Sequence, residues 1–192
     1  MSYHLTLSHV GVYVKDMPKM VDFYTGFLGF AVSDRGATRS GGEIVFMTRD
    51  PREHHQFVLA NGRPEDMNFN IVNQLSFRVD SLGTLRELHA GLGDEDIEML
   101  GPVSHGNALS VYFLDPERNR VELLIDTPWY VPQPCRIPVD FSLSDDELWT
   151  TLEHDARALP GFTTRAAWAA EIEKKIAQAG TRRRSAKAAV AA

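Results

Sequence analysis

Tyr112-Phe113-Leu114-Asp115-Pro116-Glu117-Arg118-Asn119-Arg120-Val121-Glu122-Leu123-Leu124-Ile125 is the stretch on which the fold turns. It reads as strand, tight turn, strand. Asp115-Pro116 marks the turn, because proline presets the backbone for it and cannot continue a ladder. Beyond the turn the residues alternate. Val121, Leu123 and Ile125 fall on one face, and Arg120, Glu122 and Asp126 on the other. A lone carboxylate beside an apolar face is costly unless something satisfies it, which makes Glu122 a candidate site residue.

The same turn occurs once before. Asp50-Pro51 precedes Asp115-Pro116 by 65 residues. That shift also lays His9 on Gln74, Val14 on Val79, Met20 on Leu85, Phe23 on Leu88 and Gly26 on Gly91. One more residue of slip lays Gln56 on Glu122. Such self-similarity marks a duplicated unit. The first copy reads as a strand over 5–14, a helix over 17–28 and strands near 30–35, 43–49 and 54–60. The second reads as a strand over 73–79, a helix over 82–92 and strands near 97–102, 108–114 and 120–126. The expected fold class is α+β: two βαβββ modules, about 5–62 and 72–127, forming a domain over 1–128. Residues 129–192 form a C-terminal helical extension. A strap from Thr127 to Ser142, kept extended by Pro128, Pro132, Pro134 and Pro138, leads into it. Ser144 and Glu147 make a capping box for one helix, a second helix is expected over 164–179, and a basic, Ala-rich tail from Thr181 should fray.

A chain of 192 residues with 43% hydrophobic residues can bury a sizeable core. Its net charge of −6 argues against a nucleic-acid partner. The single Cys135 excludes an intrachain disulfide framework and a Cys-rich zinc site. No apolar run approaches the roughly 20 residues of a membrane span. Met1-Ser2-Tyr3-His4 leads straight into a strand pattern, so a cytoplasmic protein is expected.

Strand parity gathers the polar residues. His9 and Gly11 lie opposite Val10 and Val12. Gln74, Ser76 and Arg78 lie opposite Leu75, Phe77 and Val79, and Ser110 and Tyr112 lie opposite Val111 and Phe113. The apolar faces should pack on the helices, leaving the polar faces to line a pocket. His9 and Glu122 are good ligands for a divalent metal, and Gln74 is a weaker oxygen ligand. A lone strand histidine is also readily a satisfied structural residue; the shared parity of the three is what favours a metal set.

Three segments carry a family resemblance: Leu7-Ser8-His9-Val10-Gly11-Val12-Tyr13-Val14, Phe23-Tyr24-Thr25-Gly26-Phe27-Leu28-Gly29-Phe30, and Tyr112 through Glu122-Leu123. Over about 5–127 the chain resembles the vicinal oxygen chelate superfamily of glyoxalase I, bleomycin-resistance proteins and type I extradiol dioxygenases. It is most similar to the small one-domain extradiol enzymes. The resemblance implies a ring-cleaving dioxygenase acting on a dihydroxybiphenyl-like catechol with O2. It implies Fe(II) held at His9, Gln74 and Glu122, with Mn, Zn or Ni as alternatives. It gives His55 the acid/base role, and makes His105 and Tyr112 hydrogen-bonding partners of the substrate. Phe57, Phe113 and Trp129 become the apolar wall of the pocket. Gln74 departs from the pattern, which has histidine there. Glyoxalase-type members do use glutamine, and in their four-ligand arrangement Gln56 is the fourth ligand. Two rivals follow: a metal lyase or isomerase of the glyoxalase or epimerase kind, and a metal-free small-molecule-binding protein like the drug-resistance members. A homo-oligomer is expected, with Leu148, Leu152 and Trp168 offering apolar surface.

Overall fold

The computed structural model describes residues 5–39, 41–67, 69–93 and 97–190, with side chains up to 178. The first module runs β1 (Val10–Val14), α1 (Met17–Asp22), β2 (Ala31–Ala37), β3 (Glu43–Thr48) and β4 (Phe57–Asn61). The second runs β5 (Leu75–Arg78), α2 (Leu82–Leu92), β6 (Met99–Ser104), β7 (Ala108–Leu114) and β8 (Arg120–Asp126). The sheets have matching orders, β1-β4-β3-β2 and β5-β8-β7-β6. In each the first strand pairs parallel with the fourth. The duplication read from the sequence is therefore a duplication of topology.

The helix expected over 17–28 is α-helical only to Asp22, and Phe23–Phe27 continue as a π-helical turn. Asp16 caps its start by accepting the Lys19 N–H at 3.1 Å. The extra residue in the turn stacks Phe23 on Phe27, with ring centroids 5.6 Å apart. Both rings then meet Phe113 of the second module edge-on. Met17 and Met20 sit in the core, as helical spacing requires.

Polar contacts also join the modules. The Tyr24 hydroxyl donates to the Asp115 carboxylate at 3.0 Å in a buried contact. Burial, reinforced by that carboxylate, holds the Tyr24 phenol well above its ordinary pKa. Glu117 accepts the backbone N–H groups of Lys15 and Asp16, both at 2.7 Å. A buried hydrogen bond to a charged group is worth about 1.5–3 kcal/mol. Tyr24→Phe should cost about that much stability in urea unfolding; a loss below about 0.5 kcal/mol would show that the contact does not hold the modules together.

Several sequence expectations are corrected. β1 begins at Val10 rather than at residue 5, because its partner β4 begins at Phe57 and Val10 pairs with Phe57. Leu5 and Leu7 are left about nine-tenths exposed. His54, His55 and Gln56 precede β4 in a turn instead of entering the strand. The basic tail, expected to fray, is helical: α4 (Arg165–Val190) runs on through it, consistent with the high helix propensity of alanine. Ala191 and Ala192 lie outside the described residues.

The strap carries β9 (Trp129–Tyr130) and β10 (Ile137–Pro138), the latter added to the edge of the second sheet beside β6. α3 (Asp145–Ala158) opens with the expected capping box. Arg86 of α2 tethers the extension by donating to the Phe141 and Leu143 carbonyls and reaching Asp145 at 3.0 Å. Leu148 and Leu152, expected to offer oligomer surface, are buried within the chain itself.

Candidate functional site

Glu122 lies on β8 and is 5% exposed. Both of its oxygens are engaged. Oε1 accepts the Tyr112 hydroxyl at 2.6 Å. Oε2 accepts the Ser76 hydroxyl at 2.5 Å and the Gln74 amide N–H at 2.7 Å. Register explains the gathering: Glu122 stands opposite Ser76 on β5 and opposite Tyr112 on β7. Ser76 is a member that sequence reasoning did not single out as a site residue, although it shared the parity of Gln74.

His105 extends the network. Its Nε2 lies 2.9 Å from the Tyr112 hydroxyl, and its Nδ1 lies 2.6 Å from the Cys135 carbonyl in the strap. A carbonyl only accepts, so Nδ1 carries a proton. The Tyr112 hydroxyl donates to Glu122 Oε1 and presents its oxygen to His105 Nε2. Burial, then the bond to Glu122, pushes the Tyr112 pKa up, so the phenol stays protonated and available as a donor.

A second group belongs to the first module. The His9 and His55 rings stand 4.3 Å apart. His55 Nδ1 lies 2.9 Å from His54 Nδ1, and His54 Nε2 lies 3.1 Å from Asp34. Desolvation, then the neighbouring His9 and His54, lowers the His55 pKa, favouring the neutral imidazole. Gln56 uses its amide oxygen locally, accepting the Arg49 backbone N–H at 3.0 Å.

A cavity of about 660 Å³ is lined by His9 and Gln56 from the first module and by Ser76 from the second. Val10, Phe30, Phe77 and Leu88 supply much of its apolar surface. The structure thus brings Gln74, Tyr112, His105 and Glu122 into one network and His9 and His55 into another. Ser76 is the link between that network and the cavity. Phe57 and Phe113, expected on the pocket wall, are instead fully buried in the core. Their rings are taken up by the helix: Phe57 packs on Tyr24, and Phe113 on Phe23 and Phe27. Trp129 is buried against Trp149 and lines a different cavity.

The Glyoxalase/Bleomycin resistance protein/Dioxygenase superfamily profile matches residues 6–123. This chain belongs to that superfamily. Among curated proteins, the superfamily chain is 32% identical over 125 residues to biphenyl-2,3-diol 1,2-dioxygenase 3 of Rhodococcus globerulus, covering 62% of itself and 63% of that protein. It is 29% identical over 123 residues to biphenyl-2,3-diol 1,2-dioxygenase 2 of the same organism, covering 62% of each. The match therefore spans less than two thirds of these relatives. Among solved structures, a glyoxylase/bleomycin resistance protein/dioxygenase domain from Frankia sp. is 20% identical with a TM-score of 0.57, covering 65% of this chain and all of that one. A fosfomycin resistance protein of Listeria monocytogenes, complexed with Mn(II), is 18% identical with a TM-score of 0.52, covering 63% of this chain and 92% of that one. At these identities the structural likeness establishes the fold alone.

Metals recur in this superfamily. Among the described residues no three His, Cys, Asp or Glu side chains form a ligand cluster. The candidate set contains only two such residues and completes itself with the Gln74 amide. Its charge suits a cation: Glu122 is a buried carboxylate, and among the described residues no Lys or Arg is paired with it. Its salt-bridge contact is His105, at 3.9 Å. Neutral donors alone leave such a charge incompletely compensated. Of the ligands that the resemblance implies, Gln74 and Glu122 are hydrogen-bonded to each other, and His9 stands beside His55 in the other group. No helix among the described residues is long and apolar enough to cross a membrane.

Proposed function

We propose that this chain is an extradiol ring-cleaving dioxygenase that acts on an aromatic diol of the dihydroxybiphenyl kind with O2, using Fe(II). The observation that carries the reading is the buried Glu122 network with His105 and Tyr112 behind it. It lies in a chain about one-third identical to a protein named for biphenyl-2,3-diol oxygenation. When bound, Fe(II) supplies a Lewis acid that lowers the hydroxyl pKa of a chelated diol.

The remaining chemistry belongs to side chains. The aromatic body of the substrate lies in the large cavity against Phe30, Phe77 and Val10. His55, kept neutral by its surroundings, accepts a proton from the diol and returns it later. Tyr112 presents a hydroxyl that stays protonated, and His105 stands behind it at 2.9 Å. The engaged oxygen of Gln56 speaks against the four-ligand glyoxalase-like arrangement.

Two substitutions test the assignment. His55→Ala should keep its metal and its diol but turn over about 10²–10⁴-fold more slowly, the usual contribution of a general acid–base group. Oxygen uptake with metal analysis alongside decides it; full activity in His55→Ala together with metal loss in Gln56→Ala would favour the four-ligand reading. Gln74→His should raise Fe(II) affinity, because imidazole is the better nitrogen donor for that ion. An iron titration that shows no gain in a folded variant would remove Gln74 from the ligand set.

A further inference from the structure

A smaller cavity of about 240 Å³ opens where the C-terminal extension meets the second sheet. The ring-cleavage reading makes no use of it. Its floor is the polar face of β5 and β8, represented by Arg78 and Asp126. Its roof is Trp129 and Tyr130 of β9 with Arg165 and Trp168 of α4. Asp126 receives two guanidinium groups: Arg78 Nε lies 2.9 Å from Oδ2, and Arg165 Nη2 lies 3.0 Å from Oδ1. One carboxylate cannot neutralise two arginines, so the cluster keeps a surplus positive charge. A guanidinium has five N–H donors, and these contacts use only some of them. Arg165 spends one more on the Asn107 carbonyl.

The walls are flat and aromatic. Trp168 stacks on Tyr130 with ring centroids 5.4 Å apart and planes 20° from parallel. Trp129 is 6% exposed, and its buried indole N–H has no acceptor. Surplus cationic donors and planar walls together suit a flat anion.

We propose that this cavity binds a small planar aromatic carboxylate of benzoate size, its carboxylate on Arg165 and Arg78 and its ring against Trp129 and Trp168. The site is separate from the Glu122 network and does not depend on the chain being a dioxygenase.

Calorimetric titration of the whole chain with benzoate, benzyl alcohol and inorganic phosphate tests this. Trp129 and Trp168 provide a fluorescence readout beside it. Benzoate should bind saturably, with benzyl alcohol and phosphate each at least about tenfold weaker. Arg165→Gln should weaken benzoate at least about tenfold, the loss expected for a charge-assisted hydrogen bond. Trp168→Leu should weaken it as well, and it decides the matter by calorimetry if Arg165→Gln disturbs the seating of α4. Absence of saturable binding would overturn the proposal. So would equal affinity for benzoate and benzyl alcohol, phosphate binding as tightly as benzoate, or unchanged benzoate affinity in folded Trp168→Leu.

Discussion

Glu122→Gln should lose metal uptake and ring cleavage together, each by on the order of 10³-fold, the scale of removing one partner from a buried charge pair. In the proposed ligand set Glu122 is the anionic member beside an imidazole and an amide, so its removal would leave a divalent ion without protein counter-charge. The substitution also affects folding. Tyr112, Ser76 and Gln74 all donate to this carboxylate, and a glutamine NH2 would face one of those donors. A buried donor left unpaired costs about 1–3 kcal/mol, so a lowered unfolding midpoint should accompany the lost activity. Elemental analysis of the folded variant separates the two effects. Metal content equal to wild type would refute the role assigned to Glu122.

Gly106→Ala should destabilise the chain by about 2–4 kcal/mol and displace His105. Gly106 has φ of +75°, a conformation that side chains rarely adopt, and a Cβ there would stand 2.1 Å from Val131 Cγ2. The strap cannot yield without loss, because Thr127 donates to the Gly106 carbonyl and Gln133 to the His105 carbonyl. His105 takes its orientation from the Cys135 carbonyl in the same strap. Urea unfolding gives the stability term, and turnover with metal content should show activity falling while metal is retained. A stability change under about 0.5 kcal/mol would mean that the strap is not clamped on this turn.

Particular residues show how far the sequence could be read. β7 and β8 have the bounds their alternation predicts, because strict period-two patterning and the Asp115-Pro116 turn agree there. At β1 the pattern ran beyond the strand. Alternation over Leu5 to Val10 is no substitute for a partner, and the partner strand begins only at Phe57. His9 therefore stands just before the strand rather than on it, and its parity alone did not fix its neighbours. His55 beside His9 is a contact made by a turn and an adjacent strand end, with no period to reveal it. Phe57 and Phe113 are the opposite case. Parity already placed Phe113 on the apolar face, and only the resemblance moved both to the pocket wall. The Glu122 network was half legible: parity put Gln74, Ser76 and Tyr112 on polar faces, but only the parallel register shows that Ser76 stands opposite Glu122. The Cys135 carbonyl could not be read at all, because it depends on where the strap crosses β6 and β7.

Oxygen consumption by the chain loaded anaerobically with Fe(II), mixed under air with 2,3-dihydroxybiphenyl or catechol, tests the central claim most directly. The account predicts a yellow ring-fission product, one O2 taken up for each diol consumed, and loss of both in Glu122→Gln. Diol left intact and oxygen unchanged, with iron bound to a folded chain, would contradict it.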